Sequence, residues 1–336
     1  MSEPICDIVL LTWNRPELLI PCVERILRHT NIPCRLILVD NASTDPKAVE
    51  FLENLRGTER VRLELVRRAH NDGFSIGIND GLSRTTAPWV CILNNDVLVT
   101  EGWLGEMIRV AENNPDIGLL NPMSNEFGAY PPKPGAVDEA AAHLRNRAGQ
   151  WTEFWTAVGF CMLIPRQILE KVGLLDQKFR FIYFEDADYA MRVRRAGFRC
   201  GIAKGSYVYH LGSGTMNHNP EKLRMFEENR RLFLQKWNLP ASQRVAWALP
   251  FKSRPEEMED LRGRIRFFAN QDHTLWIFCT KETAPFVPEH LNVRALVHSK
   301  ISFYAVALWM ICFKKKRFQK ILLGLQKGTA ERILSS

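Results

Sequence analysis

The residues best suited to chemistry fall in three places. Phe184-Glu185-Asp186-Ala187-Asp188 sets three carboxylates within four positions where a helix is expected to start. One acid is enough to cap a helix N-terminus, whose unpaired N–H groups and dipole favour negative charge. Three exceed that need, so Glu185 or Asp186 is the candidate general base for an attacking hydroxyl. Asp188 stands four positions before Arg192 and is expected to pair with it. Asn94-Asn95-Asp96 directly follows the apolar run Trp89–Leu93. Asp96 thereby leaves a rigid strand as the kind of oxygen ligand that a divalent cation on a diphosphate requires. It could also cap the next helix. His210 ends the segment Ser206–His210, where a neutral imidazole could complete such a site and would favour manganese over magnesium. His218 lies close by.

These groups need a scaffold, and the pattern of the first part of the chain supplies one. Strands are expected at Cys6–Thr12, Arg35–Asp40, Val61–Arg67, Trp89–Leu93 and Ile117–Asn121, alternating with helical patterns. The first such helix opens at Pro16 and puts Leu19, Cys22, Val23, Ile26 and Leu27 on one face. The alternation reads as an α/β fold, a Rossmann-like, mainly parallel sheet flanked by helices. Ligands of such sheets bind beyond the carboxyl ends of the strands. Those ends carry Thr12 and Asn14, then Asp40 and Asn41, then Asn94, Asn95 and Asp96. Asn71 to Gly81 is a glycine-punctuated turn in which Gly73 and Gly77 allow close backbone approach and positive φ. It does not match the dinucleotide fingerprint, and no Walker-type loop occurs, which argues against a nicotinamide oxidoreductase. The turn after the first strand lacks the Gly- and basic-rich loop that a nucleotidyltransferase wants.

Further along, residues 122–152 read as a long loop or partial lid. A helix is expected from Pro165 to Gly173, another from Asp186 to Ala196 with Gly197 at its C-cap, then two short strands ending at His210. Residues 220–237 read as a helix, 240–260 as a linker, Leu275–Cys279 and Val293–Val297 as strands, and the remainder as helices. This organisation predicts a catalytic domain over 1–240 and a small α/β extension over 241–336. The formal charge is +8, and residues 301–336 carry seven Lys/Arg against one Glu, so the body is nearly neutral and unsuited to nucleic acid. Ile301–Phe313 is an apolar run too short to span a bilayer, followed by Lys314–Arg317 and by Phe318, Ile321, Leu322 and Leu325 at helical spacing. Two readings stay open: an in-plane helix on an anionic membrane surface, or a helix packed on its own domain with a solvated basic face. The start of the chain lacks the basic lead and cleavage site of a secretion signal. Eight cysteines without a C-x-x-C pair, with Cys6, Cys91, Cys161 and Cys200 inside apolar runs, point to buried thiols and a reducing cytoplasm.

Seven motifs, in order, carry a family resemblance: TWNR (12–15), VDNAST (39–44), NDGFSIGIND (71–80), LNND (93–96), VGFCMLIPRQILEKVGLLD (158–176), FEDADYAMRVRRAG (184–197) and YHLGSGT (209–215). Together they resemble the family 2 glycosyltransferases of GT-A fold, particularly bacterial members of surface-polysaccharide and rhamnosyltransferase-like type, over about residues 5–240. The resemblance implies inverting transfer of a sugar from a UDP, dTDP or GDP sugar to a hydroxyl of a glycan or lipid-linked acceptor. It makes Thr12, Asn14, Asp40 and Asn41 nucleotide contacts, and Asn71 and Asn79 parts of the donor-binding turn. Asn94, Asn95 and Asp96 fall where the family has its D-x-D-type motif for Mn2+ or Mg2+; only one acid remains here, which gives His210 more weight as a ligand. Asp186 matches the family's base, with Glu185 as the alternative. Trp151 and Trp155 are acceptor-side candidates. The rival reading is a non-catalytic nucleotide-sugar or carbohydrate-binding protein with a degenerate GT-A domain.

Overall fold

The computed structural model describes residues 3–125, 134–154, 156–179, 181–212, 220–238, 243–249, 261, 265, 269, 273–288, 292–299, 318 and 320–323. The chain divides into two compact units, 1–237 and 238–336. Among the described residues no helix is long and apolar enough to cross a membrane.

In chain order the first unit comprises β1 (Cys6–Thr12), α1 (Pro16–His29), β2 (Cys34–Asp40), α2 (Pro46–Asn54), β3 (Val61–Arg67), α3 (Phe74–Leu82), β4 (Trp89–Asn94), β5 (Val97–Val99), α4 (Trp103–Glu112), β6 (Ile117–Met123), α5 (Val137–Leu144), β7 (Trp151–Glu153), β8 (Cys161–Pro165), α6 (Arg166–Val172), α7 (Glu185–Arg195), β9 (Arg199–His210) and α8 (Pro220–Trp237). The sheet runs β3-β2-β1-β4-β8-β6-β9-β5, with β7 also on β9. β1 to β4 are mutually parallel, β8 is antiparallel to β4 and β6, and β9 is parallel to β6. Successive strand side chains face opposite ways, so a buried parallel strand must be apolar on both faces. Ile8 and Leu36 accordingly pack with Leu19, Val23 and Ile26 of α1, while Val9 and Ile37 pack with Ile78 and Leu82 of α3. The expected α/β class, with a mainly parallel sheet flanked by helices, is what the chain adopts. Register brings the strand ends level: Thr12 pairs with Asp40, and Leu11 with Asn94.

Four expectations need correction. The stretch 122–152 is not a plain loop, because Val137, Ala140, Ala141 and Leu144 are buried at helical spacing and form α5. The two short strands before His210 are one strand, β9. Its polar middle is satisfied in place: Ser206 donates to the Trp103 carbonyl at 2.8 Å and the Lys204 N–H to that of Gln150 at 2.9 Å. In the second unit the proposed linker holds β10 (Arg244–Ala248), and the region read as terminal helix holds β13 (Lys320–Leu323). With β11 (Thr274–Cys279) and β12 (Val293–Val297) these form an all-parallel sheet, β12-β11-β10-β13. A short apolar run such as Arg244–Ala248 has no period of its own and becomes a strand only between its neighbours. The membrane reading of 301–317 lies outside the described residues.

At the amino edge of the first sheet Asp7 is fully buried. It accepts from Arg35 Nε (2.9 Å) and Nη2 (3.0 Å) and from the N–H groups of Thr86 (2.6 Å) and Ala87 (2.8 Å). Removing one partner of a buried ion pair strands the other, at a cost of about 3–5 kcal/mol. Asp7→Ala should therefore lower the unfolding free energy by that order, seen in equilibrium unfolding as a lower urea midpoint at an unchanged m value.

Candidate active site

A cavity of about 680 Å³ is lined together by Asn94, Asp96, His210, Glu185 and Asp186, with Phe184 and Phe226 among its apolar walls. The elements explain the convergence. Asn94 ends β4, the chain turns through Asn95 and Asp96, and β5 then runs antiparallel to β9, with Val97 opposite His210. Asp96 Oδ1 consequently lies 3.2 Å from His210 Nε2, in ion-pair range without forming a hydrogen bond. His210 is fixed at both main-chain atoms by Asn125, which accepts from its N–H (2.8 Å) and donates to its carbonyl (2.9 Å). Its ring stacks on Phe160, centroids 5.2 Å apart.

Three oxygens in this cavity are buried without a hydrogen-bond partner: Asn94 Oδ1, Asp96 Oδ1 and Glu185 Oε2. Unpaired buried oxygens are costly, and hard cations or ligand donors are what relieve them. Among the described residues no three of His, Cys, Asp and Glu gather into a metal cluster. Asp96, His210 and the Asn94 amide oxygen are the groups in this cavity that could hold a divalent cation.

The other sequence candidates are placed as follows. Thr12 and Asp40 are buried at adjacent strand ends. Asp40 Oδ1 accepts from the Ser43 N–H at 2.9 Å, and its other oxygen lies 4.0 Å from Arg67 Nε. Asn95 donates to Thr12 Oγ1 at 3.2 Å. Asn41 donates to Asn71 Oδ1 (2.6 Å) and accepts from Arg68 (2.6 Å), whose guanidinium also holds Asp72 (2.9 Å) and Asp80 (2.6 Å). Gly73, φ +92°, abuts the Phe181 backbone; a Cβ there would stand 2.9 Å from Phe181 Cα. Two amides are occupied as braces. Asn14 Oδ1 accepts from the N–H groups of Thr44 and Asp45, both at 2.8 Å. Asn79 exchanges both its hydrogen bonds with the Leu175 backbone at 2.9 Å and does not line the cavity. Trp151 lies on β7, donating to Asn114 Oδ1 at 3.1 Å; Trp155 and His218 lie outside the described residues.

The acid cluster starts α7. Asp188 is fully buried and binds Arg192 (3.0 Å), as its spacing suggested, and also Trp237 (2.8 Å) and Lys236 (2.6 Å). Glu185 and Asp186 face the cavity. Burial, and then the neighbouring Asp186 charge, push the Glu185 carboxyl up to about 8. Burial also raises Asp186, but N–H groups from Gly159 and Ala187, each at 2.7 Å, oppose the rise. The ionised member of the pair is therefore Asp186, which has donors, while Glu185 Oε2 has none. The backbone leading into the pair is left-handed at Phe181, Tyr183 and Phe184, with φ of 63°, 80° and 70°. Such conformations cost roughly 1–3 kcal/mol each and gather at functional sites. Sequence reasoning missed Asn125 and Asn229, which carry no signal short of the fold, and did not single out Gly159 or Phe160, although both lie inside a quoted motif.

The sequence matches the glycosyl transferase family 2 over residues 7–173, a span that stops before the acid pair. It is 26% identical over 260 residues to an uncharacterised protein of Sinorhizobium fredii, covering 70% of this chain and 28% of that protein. It is 28% identical over 212 residues to the succinoglycan biosynthesis protein ExoM of Rhizobium meliloti, covering 60% and 65%. The chain thus spans less than a third of the first relative and just under two thirds of the second. A solved mannosyltransferase, PcManGT from Pyrobaculum calidifontis in complex with GDP-Man and Mn2+, is similar at a TM-score of 0.49 and 17% identity, over 63% of this chain and 59% of that one.

The raised Glu185 carboxyl has a measurable consequence. Between its ordinary unfolded value of about 4.5 and its folded value of about 8, the folded state holds a proton that the unfolded state has lost. Stability from this group therefore falls as pH rises through that window. Glu185→Gln removes the penalty, so its Tm relative to the parent should be higher at pH 9 than at pH 5, as paired thermal melts would register.

Proposed function

The chain belongs to glycosyl transferase family 2, and from that premise we propose that it is an inverting enzyme moving a sugar from a nucleoside-diphosphate sugar to an acceptor hydroxyl, in surface glycan assembly. The observation that carries this reading is the meeting, in one cavity, of unpaired oxygens beside His210 with a coupled acid pair.

In this reading Thr12, Asp40 and Asn41 receive the nucleotide at the carboxyl edge, and Asn71 shapes the turn beside them. Asp96 and His210, with Asn94, would hold Mn2+ or Mg2+. What a divalent cation supplies there is neutralisation of charge on the departing diphosphate. Asp186 accepts the acceptor's hydroxyl proton as that oxygen bonds to the anomeric carbon and the bond from that carbon to the diphosphate oxygen breaks. Burial raises its proton affinity, as a base requires, while the N–H groups of Gly159 and Ala187 favour the carboxylate form and orient it. Glu185, protonated at neutral pH, withholds a second negative charge from the approaching diphosphate. One displacement inverts the anomeric carbon, and no covalent sugar–protein bond is required. The relation to a succinoglycan biosynthesis protein supports a polysaccharide setting, with a glycan or lipid-linked acceptor. Buried free thiols support a cytoplasmic site, at the inner membrane face if residues 301–336 bind lipid.

Thermal stability against UDP-, dTDP- and GDP-sugars should rise with one nucleotide class and only when Mn2+ is present. Asp96→Ala should abolish that metal-dependent shift. Asp186→Asn should keep it while lowering kcat by about 10²–10⁴-fold. No shift with any donor at millimolar concentration would overturn the reading.

A further inference from the structure

We propose that Asn229 of α8 is a positioning residue for the acid pair, acting through the backbone of residues 182 and 183; the assignment rests on the transferase reading above. The helix carrying Glu185 and Asp186 begins without a side-chain cap, at a Phe184 in the left-handed region. A left-handed run of bulky residues persists only where its surroundings over-determine it. The Phe74 N–H donates to the Phe181 carbonyl at 2.9 Å, fixing one end of the run. The other end is held by α8. Asn229 Nδ2 donates to the carbonyls of Ile182 (2.9 Å) and Tyr183 (3.2 Å).

Asn229 is 6% exposed. It shares a helix face with Phe226 and Phe233, three residues before and four after. Those rings pack on Phe184 at centroid distances of 5.1 and 5.4 Å, and Phe226 meets Tyr183 at 5.5 Å. A buried amide on an aromatic face is costly unless bonded. Two of its bonds go to carbonyls three and two positions before Glu185, within the left-handed approach to the residues whose carboxyl groups enter the cavity. Glu185 and Asp186 have no slack of their own, since they are the first two residues of α7. Loss of the amide would leave the packing surface in place but free the run, and displacement of a base by about 1 Å can cost on the order of 10²-fold in rate.

The test compares the full-length parent with Asn229→Leu, which keeps side-chain size without hydrogen bonds, and Asn229→Ser as a second variant. Each is assayed for Mn2+-dependent stabilisation by the active donor, then for steady-state transfer. The expected result is a donor shift and donor KM within about threefold of the parent, with kcat down by about 10- to 100-fold. A kcat within threefold of the parent overturns the assignment. So does a parallel loss of donor binding and kcat, which marks a merely structural residue. If the Leu variant does not fold, the Ser variant decides by the same criteria. A parent that neither binds a donor nor transfers overturns the transferase reading and this assignment with it, whereas an active parent with unaffected variants overturns the assignment alone.

Discussion

Parallel pairing of β1 with β2 on one side and β4 on the other is the constraint on which everything else in the first unit rests. Seven consecutive register pairs join β1 to β2, from Cys6–Cys34 to Thr12–Asp40. A slip of one residue would turn every apolar side chain to the opposite face of a sheet covered on both sides. The core therefore fixes the register, and the register fixes which polar residues emerge side by side. Thr12, Asp40 and Asn94 are neighbours because Ile8, Leu36 and Cys91 are buried together beneath them. Site geometry here is a by-product of packing, before any polar contact is made.

The acid pair is assembled on different terms. Its helix contributes Glu185 and Asp186, but their setting comes from remote chain: Gly159 supplies an N–H, Gly73 leaves room for the Phe181 backbone, and α8 grips the left-handed run. Two carboxyl groups with little solvent between them cannot both ionise cheaply. The arrangement resolves that conflict unequally, giving two N–H donors to Asp186 and leaving one Glu185 oxygen unpaired. Aromatic walls and polar strand ends share the same cavity, so burial that raises the acids also strengthens any charge interaction made there.

The scaffold was legible because its signals are local. Cys6–Thr12 and Val61–Arg67 are apolar or β-rich runs bounded by polar turns, and both are observed over those residues. The helix over 220–237 and the Asp188–Arg192 pair also follow from spacing alone. What could not be read was which partner an amide would choose. Asn14, Asn41 and Asn79 look alike in sequence, yet Asn79 braces Leu175 and Asn14 braces the 43–45 turn, while Asn41 joins Asn71. β13 was hidden for another reason: Ile321, Leu322 and Leu325 fit a helical period, and only pairing with β10 makes that segment a strand. The role of Asn229 depends on a contact across 46 and 47 residues, which no local pattern encodes.

β9 carries a further implication. This one twelve-residue strand pairs with β7 near its start, with β6 from Arg199 to Ala203 and again at Tyr207, and with β5 at its end, where His210 stands. It is anchored midway by Ser206 on Trp103 and by the Thr100 hydroxyl on the Tyr207 carbonyl at 2.6 Å. Insertion or deletion of a single residue between Arg199 and His210 would invert the imidazole's side of the sheet while the anchors resist compensation. Lineages descending from this chain can thus drift in residue type along β9 but scarcely in its length, so length variation should accumulate in the connections instead.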